Sequence, residues 1–143
     1  MTREEIDELI KDDNKAQLYF ENRRWPNGIK CPYCSRDNIG VHKDAKRKTT
    51  RYNCLNVLCQ RSFSVKTRTM FHGTRVDLRK WIQLLDLVFN HTNPMPSIEH
   101  LSSCLGVTRN AIYNMMDKLN EALKKKDDYL IIEVMTLLKH SEL

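Results

Sequence analysis

The chain has 143 residues, 41% of them hydrophobic and 29% charged, with a formal net charge of +6. That length holds one medium domain or two small ones packed together, and no apolar run reaches the roughly 18 residues a membrane span requires, so a membrane protein is not expected. The opening Met1-Thr2-Arg3-Glu4-Glu5 is acidic and lacks the apolar stretch of a secretory signal. The expected setting is therefore intracellular and reducing, nucleus or cytoplasm, where paired cysteines hold metal more often than they form disulfides.

The first thirteen residues are acidic. Thr2 and Glu5 have capping-box spacing, and Ile6, Leu9 and Ile10 form an apolar stripe, which predicts a first helix. A second is predicted from Asp13 or Asn14, with Ala16, Tyr19 and Phe20 on one face. It should end before Trp25-Pro26-Asn27-Gly28, where proline and Asn-Gly impose a turn. Tyr19, Phe20 and Trp25 follow helical spacing and read as core, not as base-stacking residues.

Four cysteines dominate the next stretch. Cys31-Pro32-Tyr33-Cys34 is answered by Cys54 and Cys59, two pairs about a hairpin apart. The sequence from Lys48 to Asn53 has strand composition, and Ser62-Phe63-Ser64-Val65 alternates as a return strand should. So short a ribbon cannot bury enough apolar surface to fold alone. One structural Zn2+ held by Cys31, Cys34, Cys54 and Cys59 would supply the difference, since such binding is worth on the order of 10 kcal/mol in finger peptides. The second pair encloses four residues where two are usual, but spacings of two to four still close a tetrahedron. The competing readings are four free cysteines, or His42 or His72 as a substitute ligand. Four thiolates leave no open position, so the metal is structural and not catalytic.

Residues 43–80 carry eleven basic residues against Asp44 and Asp77 alone. A basic band beside a metal clip suits a surface that meets phosphates, and Lys46, Arg47, Lys48, Arg51 and Arg61 are its candidate contacts. The plainer alternative is a solvated face with acidic partners elsewhere in the fold.

Beyond the ribbon the periodicity becomes helical. Asp77 can cap a helix in which Leu78, Trp81, Ile82, Leu85, Val88 and Phe89 recur, ending before Asn93-Pro94. Ser97 caps a short helix with Ile98, Leu101 and Leu105 inward, Gly106 makes the turn, and Thr108 caps a third carrying Ile112, Met115 and Leu119. This is the pattern of a helix-turn-helix, with small Ser102 at the helix crossing and Cys104 a partly buried helix residue. Thr108, Arg109, Asn110, Tyr113 and Asn114 then face outward near the start of the third helix, with Lys118 nearer the DNA backbone. A plain trihelical packing unit is the alternative. After Lys124-Lys125-Lys126-Asp127-Asp128, residues 129–138 are too apolar to be left in water, and either pack back or pair two copies of the chain as a homodimer.

Three stretches then carry a family resemblance: Arg24-Trp25-Pro26-Asn27-Gly28-Ile29-Lys30-Cys31-Pro32-Tyr33-Cys34, Arg51-Tyr52-Asn53-Cys54, and Cys59-Gln60-Arg61-Ser62-Phe63-Ser64-Val65-Lys66-Thr67-Arg68-Thr69-Met70-Phe71-His72-Gly73-Thr74. They resemble the N-terminal part of zinc-ribbon insertion-sequence (DDE) transposases and their eukaryotic Merlin relatives, and the likeness runs through Leu78-Arg79-Lys80-Trp81 to about Leu123. It implies that ribbon and helix-turn-helix recognise the element's terminal DNA, while a following ribonuclease-H-like domain cuts and joins strands. Ser35 stands where the family usually has glycine. Met135 and Thr136 stand where an acidic metal ligand would be expected, and only Glu142 follows, so no two-metal ligand set is present.

The expected protein is mainly α with a small β zinc ribbon: an N-terminal helical segment (1–28), the ribbon (29–75), a trihelical helix-turn-helix (76–126) and an apolar tail (127–143). Its expected function is non-catalytic, zinc-stabilised binding of double-stranded DNA, including service as a domesticated transcriptional regulator. The alternatives are a ribbon that docks on polymerase or another protein, and an accessory or fragment of an active transposase.

Overall fold

The computed structural model of the chain describes residues 2–42, 50–89 and 96–125. Five helices and three short strands follow in the order α1 (Arg3–Lys11), α2 (Asp13–Arg24), β1 (Ile39–His42), β2 (Arg51–Cys54), β3 (Ser62–Phe63), α3 (Leu78–Phe89), α4 (Ile98–Leu105) and α5 (Arg109–Lys125).

The helix boundaries follow from their caps. Thr2 Oγ1 accepts from the Glu5 amide at 3.1 Å while the Glu5 carboxylate accepts from the Thr2 amide at 2.9 Å, the reciprocal pair that satisfies two orphan donors of α1. Asp12 ends α1 and caps α2, its carboxylate accepting from Asn14 N at 2.9 Å. One residue thus separates the two helices and folds them against each other. Ser97 caps α4 through His100 N, Gly106 closes it at φ +67°, and Thr108 Oγ1 accepts from Ala111 N at the start of α5.

α1, α2 and α4 all pack on α3, whose Leu78, Trp81, Ile82, Leu84 and Leu85 are buried. Ile6, Ala16 and Phe20 meet them from the N-terminal helices, and Leu101, Leu105, Ile112, Met115 and Leu119 complete the same core. Val65 and Phe71, from the segment after the ribbon, belong to this helical core as well. Phe71 stands edge-on to Phe20 and to Trp81, with ring centroids 5.1 Å apart in both cases, so the loop before α3 is nailed to α2 and α3. A bidentate ion pair joins α1 to α3: Arg3 Nη1 and Nη2 donate to the two carboxylate oxygens of buried Asp86 at 3.0 and 2.6 Å.

The ribbon is an antiparallel sheet in the order β1-β2-β3, with Val41 opposite Tyr52 and Tyr52 opposite Phe63. Its own small core is Cys31, Tyr52, Cys54 and Phe63. Trp25, at the end of α2, packs on both cores and lies edge-on to Tyr52 and Phe63.

Four details depart from the sequence reading. β1 has a glycine and an exposed Val41, too little alternation to reveal a strand; its existence rests on pairing with β2. The return strand ends at Phe63, because the Ser64 amide donates to Thr67 Oγ1 and the Thr67 amide to the Ser64 carbonyl, which turns the chain. Ser102 does more than spare room: its hydroxyl donates to the Val107 carbonyl across the α4–α5 turn. Cys104, expected to be partly buried, is exposed, since it lies at the flank of the α4 side that buries Leu101 and Leu105. The tail, residues 127–143, lies outside the described residues.

Candidate metal centre and nucleic-acid interface

The four ribbon sulfurs converge, all within 4.8 Å of one another. Cys31 and Cys59 are 3.7 Å apart and Cys34 and Cys54 3.5 Å, too far for disulfides and close to the roughly 3.8 Å between thiolates bound tetrahedrally at a zinc–sulfur distance near 2.3 Å. Cys31 and Cys54 are buried while Cys34 and Cys59 are partly exposed, so the inner pair is pinned by the ribbon core and the outer pair closes over it. Among the described residues the cluster holds four thiol ligands and no other donor, the chemistry of a structural zinc ion. His72, considered as a substitute, is exposed and accepts from the Arg68 amide instead, and the His42 side chain lies outside the described residues.

Each knuckle turns back through a left-handed residue placed just after its second cysteine. Ser35 has φ +65° and Gln60 φ +52°, and the Ser35 and Gln60 amides donate to the carbonyls of Cys31 and Asn56. The longer second loop is closed by Asn56, whose carbonyl takes both the Cys59 and Gln60 amides at 3.0 Å. The sulfurs are electrostatically unequal before metal enters. The Arg36 backbone amide holds the Cys34 thiol down to about 7, whereas burial pushes Cys54 up to about 12, so a bound dication must displace the Cys54 proton.

Cations gather around the first knuckle. The guanidinium carbons of Arg61 and Arg68 lie 4.7 and 5.0 Å from the Tyr33 ring centroid, and Arg68 Nη1 donates to the Pro32 carbonyl at 3.2 Å. Two positive charges thereby sit beside a cluster whose net charge with zinc is negative. Arg51 projects from β2, and its Nε donates to Ser62 Oγ at 3.1 Å.

On α5 the residues predicted to face outward do so. With Ile112, Met115 and Leu119 buried, Thr108, Arg109, Asn110, Tyr113 and Asn114 share the exposed side of the first two turns. Arg109 reaches back to Glu99 of α4 at 2.8 Å, an exposed pair of little stabilising value that a phosphate or base could replace. Lys118 stands apart from this group, donating to the His72 carbonyl at 3.1 Å and so fastening α5 to the segment before α3. Lys46, Arg47 and Lys48 lie outside the described residues. Sequence reasoning passed over Arg68, whose stacking on Tyr33 depends on a left-handed backbone that nothing local in the sequence announces.

A tetracysteine clip on a three-stranded ribbon, set against a helical bundle, defines a zinc-ribbon protein. Residues 11–62 match the family model of the transposase zinc-ribbon domain, so the ribbon resemblance read from the sequence holds for this part of the chain. A curated relative, an uncharacterized protein in transposable element ISH50 of Halobacterium salinarum, is 30% identical over 111 residues. The alignment covers 78% of this chain and 36% of that protein, so the chain spans about a third of its relative's length. No solved structure matches the chain. Among the described residues no helix is long and apolar enough to cross a membrane.

Proposed function

We infer that the chain is a non-catalytic, intracellular double-stranded DNA-binding module of transposase type, in which the zinc ribbon engages the phosphate backbone and α4–α5 acts as a helix-turn-helix. The observation that carries this reading is the exposed side of α5, where Arg109, Asn110 and Asn114 offer side chains suited to guanine and adenine edges at the end of the helix that a major groove would admit. Thr108 and Tyr113 flank them, and Arg51 and Arg61 supply cations from the ribbon, as Lys46, Arg47 and Lys48 would. Phosphate contacts set register and base contacts set specificity. A homodimer through the C-terminal segment, a transposase partner and a transcription-regulating role belong to the same proposal.

The test is selection of bound duplexes from a random pool, followed by affinity measurement with Asn110→Ala and Asn114→Ala. Each variant should lose roughly fivefold or more on the selected site and little on a scrambled one, matching about 1–3 kcal/mol per bidentate contact. Equal loss on both duplexes rejects base reading by α5, and no retention on any duplex rejects DNA binding altogether.

A second reading has its own observation. Leu55, Val57 and Leu58 at the tip of the second knuckle are 53%, 78% and 91% exposed, an apolar surface fit for docking on a protein such as a polymerase or an active transposase. Copurification with such a partner, lost on Leu58→Asp, without retention on DNA would favour it.

A further inference from the structure

Between the ribbon and the N-terminus of α3 lies a polar cleft of about 520 Å³. Its walls bring together three cations distant in sequence, Arg51 from β2, Lys66 from the turn after β3 and Arg75 from the approach to α3, with Asp77 the one carboxylate among its lining residues. Lys66 is partly buried, and Arg51, Lys66 and Arg75 form no ion pair among the described residues. Burial disfavours the Lys66 ammonium, and the carboxylates of Asp13 and Asp77 act on it without pairing with it, so an anion entering the cleft would compensate that burial further.

The turn that presents Lys66 is held on every side. Its amide donates to Ser64 Oγ at 3.2 Å, its carbonyl accepts from Thr69 Oγ1 at 2.6 Å, and Arg24 of α2 donates to the neighbouring Val65 carbonyl at 2.6 Å. Arg51 is aimed by its bond to Ser62, which also lines the cleft. On the far wall Gly73, at φ +77° with nothing within 4 Å of where a Cβ would stand, leaves the backbone open to approach. Asp77 is drawn toward Arg79, 3.6 Å away, which softens its repulsion of an anion. The backbone that presents Lys66 and the side chain of Arg51 are therefore held in place before an anion arrives, which lowers the ordering cost of binding.

We propose that this cleft is a seat for a phosphodiester of the DNA backbone, gripped by Lys66 and Arg75 with Arg51 at its rim, and that it fixes the ribbon and the helical bundle to one stretch of duplex. The proposal rests on the DNA-binding reading above and adds a phosphate contact at the junction of the two modules. Because a phosphate carries no sequence information, the seat contributes affinity and salt dependence, not specificity.

The experiment measures duplex affinity against NaCl concentration for the full zinc-loaded chain, by fluorescence anisotropy on one selected and one scrambled duplex. Each lost phosphate contact lowers the slope of log K against log salt by about 0.9, so Lys66→Gln with Arg75→Gln should lower it by about 1.8, equally on both duplexes. The charge-keeping pair Lys66→Arg with Arg75→Lys should retain the slope, and Lys15→Gln, which removes an exposed pair with Glu8 on the N-terminal helices, should leave it unchanged. Retained zinc stoichiometry and melting certify that the variants fold, and exposed Arg75→Gln alone, expected to lower the slope by about 0.9, serves if the double variant does not. A wild type that binds DNA beside a folded double variant with the same slope overturns the seat and leaves the DNA-binding reading standing. A wild type that binds no duplex overturns both.

Discussion

The Tyr52 hydroxyl, from the middle of the ribbon's central strand, donates to Glu21 Oε1 of α2 at 2.9 Å, where the Gln17 side-chain amide also donates. This bond, with Trp25 packed on the same ring, ties the metal ribbon to the helical bundle. Burial, and then the Glu21 carboxylate, raise the Tyr52 hydroxyl above the ordinary tyrosine range. Its phenolate is thus disfavoured in the folded chain, so this contribution to stability is complete below about pH 10 and is lost as pH rises beyond it. Tyr52→Phe should cost about 1 kcal/mol at neutral pH and flatten the alkaline fall of the denaturant midpoint between pH 9 and 11. An alkaline fall as steep in the variant as in the parent would dismiss the link.

Zinc removal gives the next expectation. One ion should bind per chain, and chelation, or Cys31→Ser with Cys54→Ser, should unfold the ribbon and lower the melting temperature. Because bound thiolates must first lose protons, zinc affinity should fall as the solution is acidified. Melting unchanged by a strong chelator would argue against the metal.

The knuckle turns make a stabilising prediction. Ser35 and Gln60 occupy left-handed backbone that costs a side chain roughly 1–2 kcal/mol, part of which glycine returns through its freer unfolded state. Ser35→Gly should therefore stabilise the holoprotein by about 0.5–1 kcal/mol in chemical denaturation, whereas Arg36→Gly nearby should not stabilise it.

The Arg3–Asp86 pair predicts a loss. The Asp86 side chain is 7% exposed and that of Arg3 45%, and their bidentate bond raises the Arg3 guanidinium further. Arg3→Ala leaves a buried carboxylate without this partner and should cost about 1–2 kcal/mol, discounted for the solvent around Arg3. Adding Asp86→Leu to that variant should recover part of the loss in a double-mutant cycle.

Much of the chain was legible because its signals are local. Thr2, Ser97, Gly106 and Thr108 mark helix ends through atoms within a few residues of them, and the apolar steps of α1, α3 and α5 report which side is buried whatever that side meets. The cysteine spacing likewise announced a metal clip, because ligand geometry confines the spacings that can close it. The hidden parts are long-range. β1 exists through its ladder with β2, the return strand is cut short by Thr67, and Phe71 leaves the ribbon for the helical core, each a result of partners far along the chain or of a turn competing with a strand.

The tetracysteine set, the helix ends and the outward residues of α5 were thus determined by the sequence itself, since spacing and periodicity are properties of the chain alone. Tertiary structure alone decided that Arg61 and Arg68 both lie on Tyr33, that Lys118 fastens α5 to the loop before α3, and that Arg51, Lys66 and Arg75 line one cleft. The reason is geometric: contacts between elements depend on how the ribbon docks on the helices. That docking is set by the shapes of Trp25, Tyr52 and Phe71 packing against distant partners, not by any local pattern.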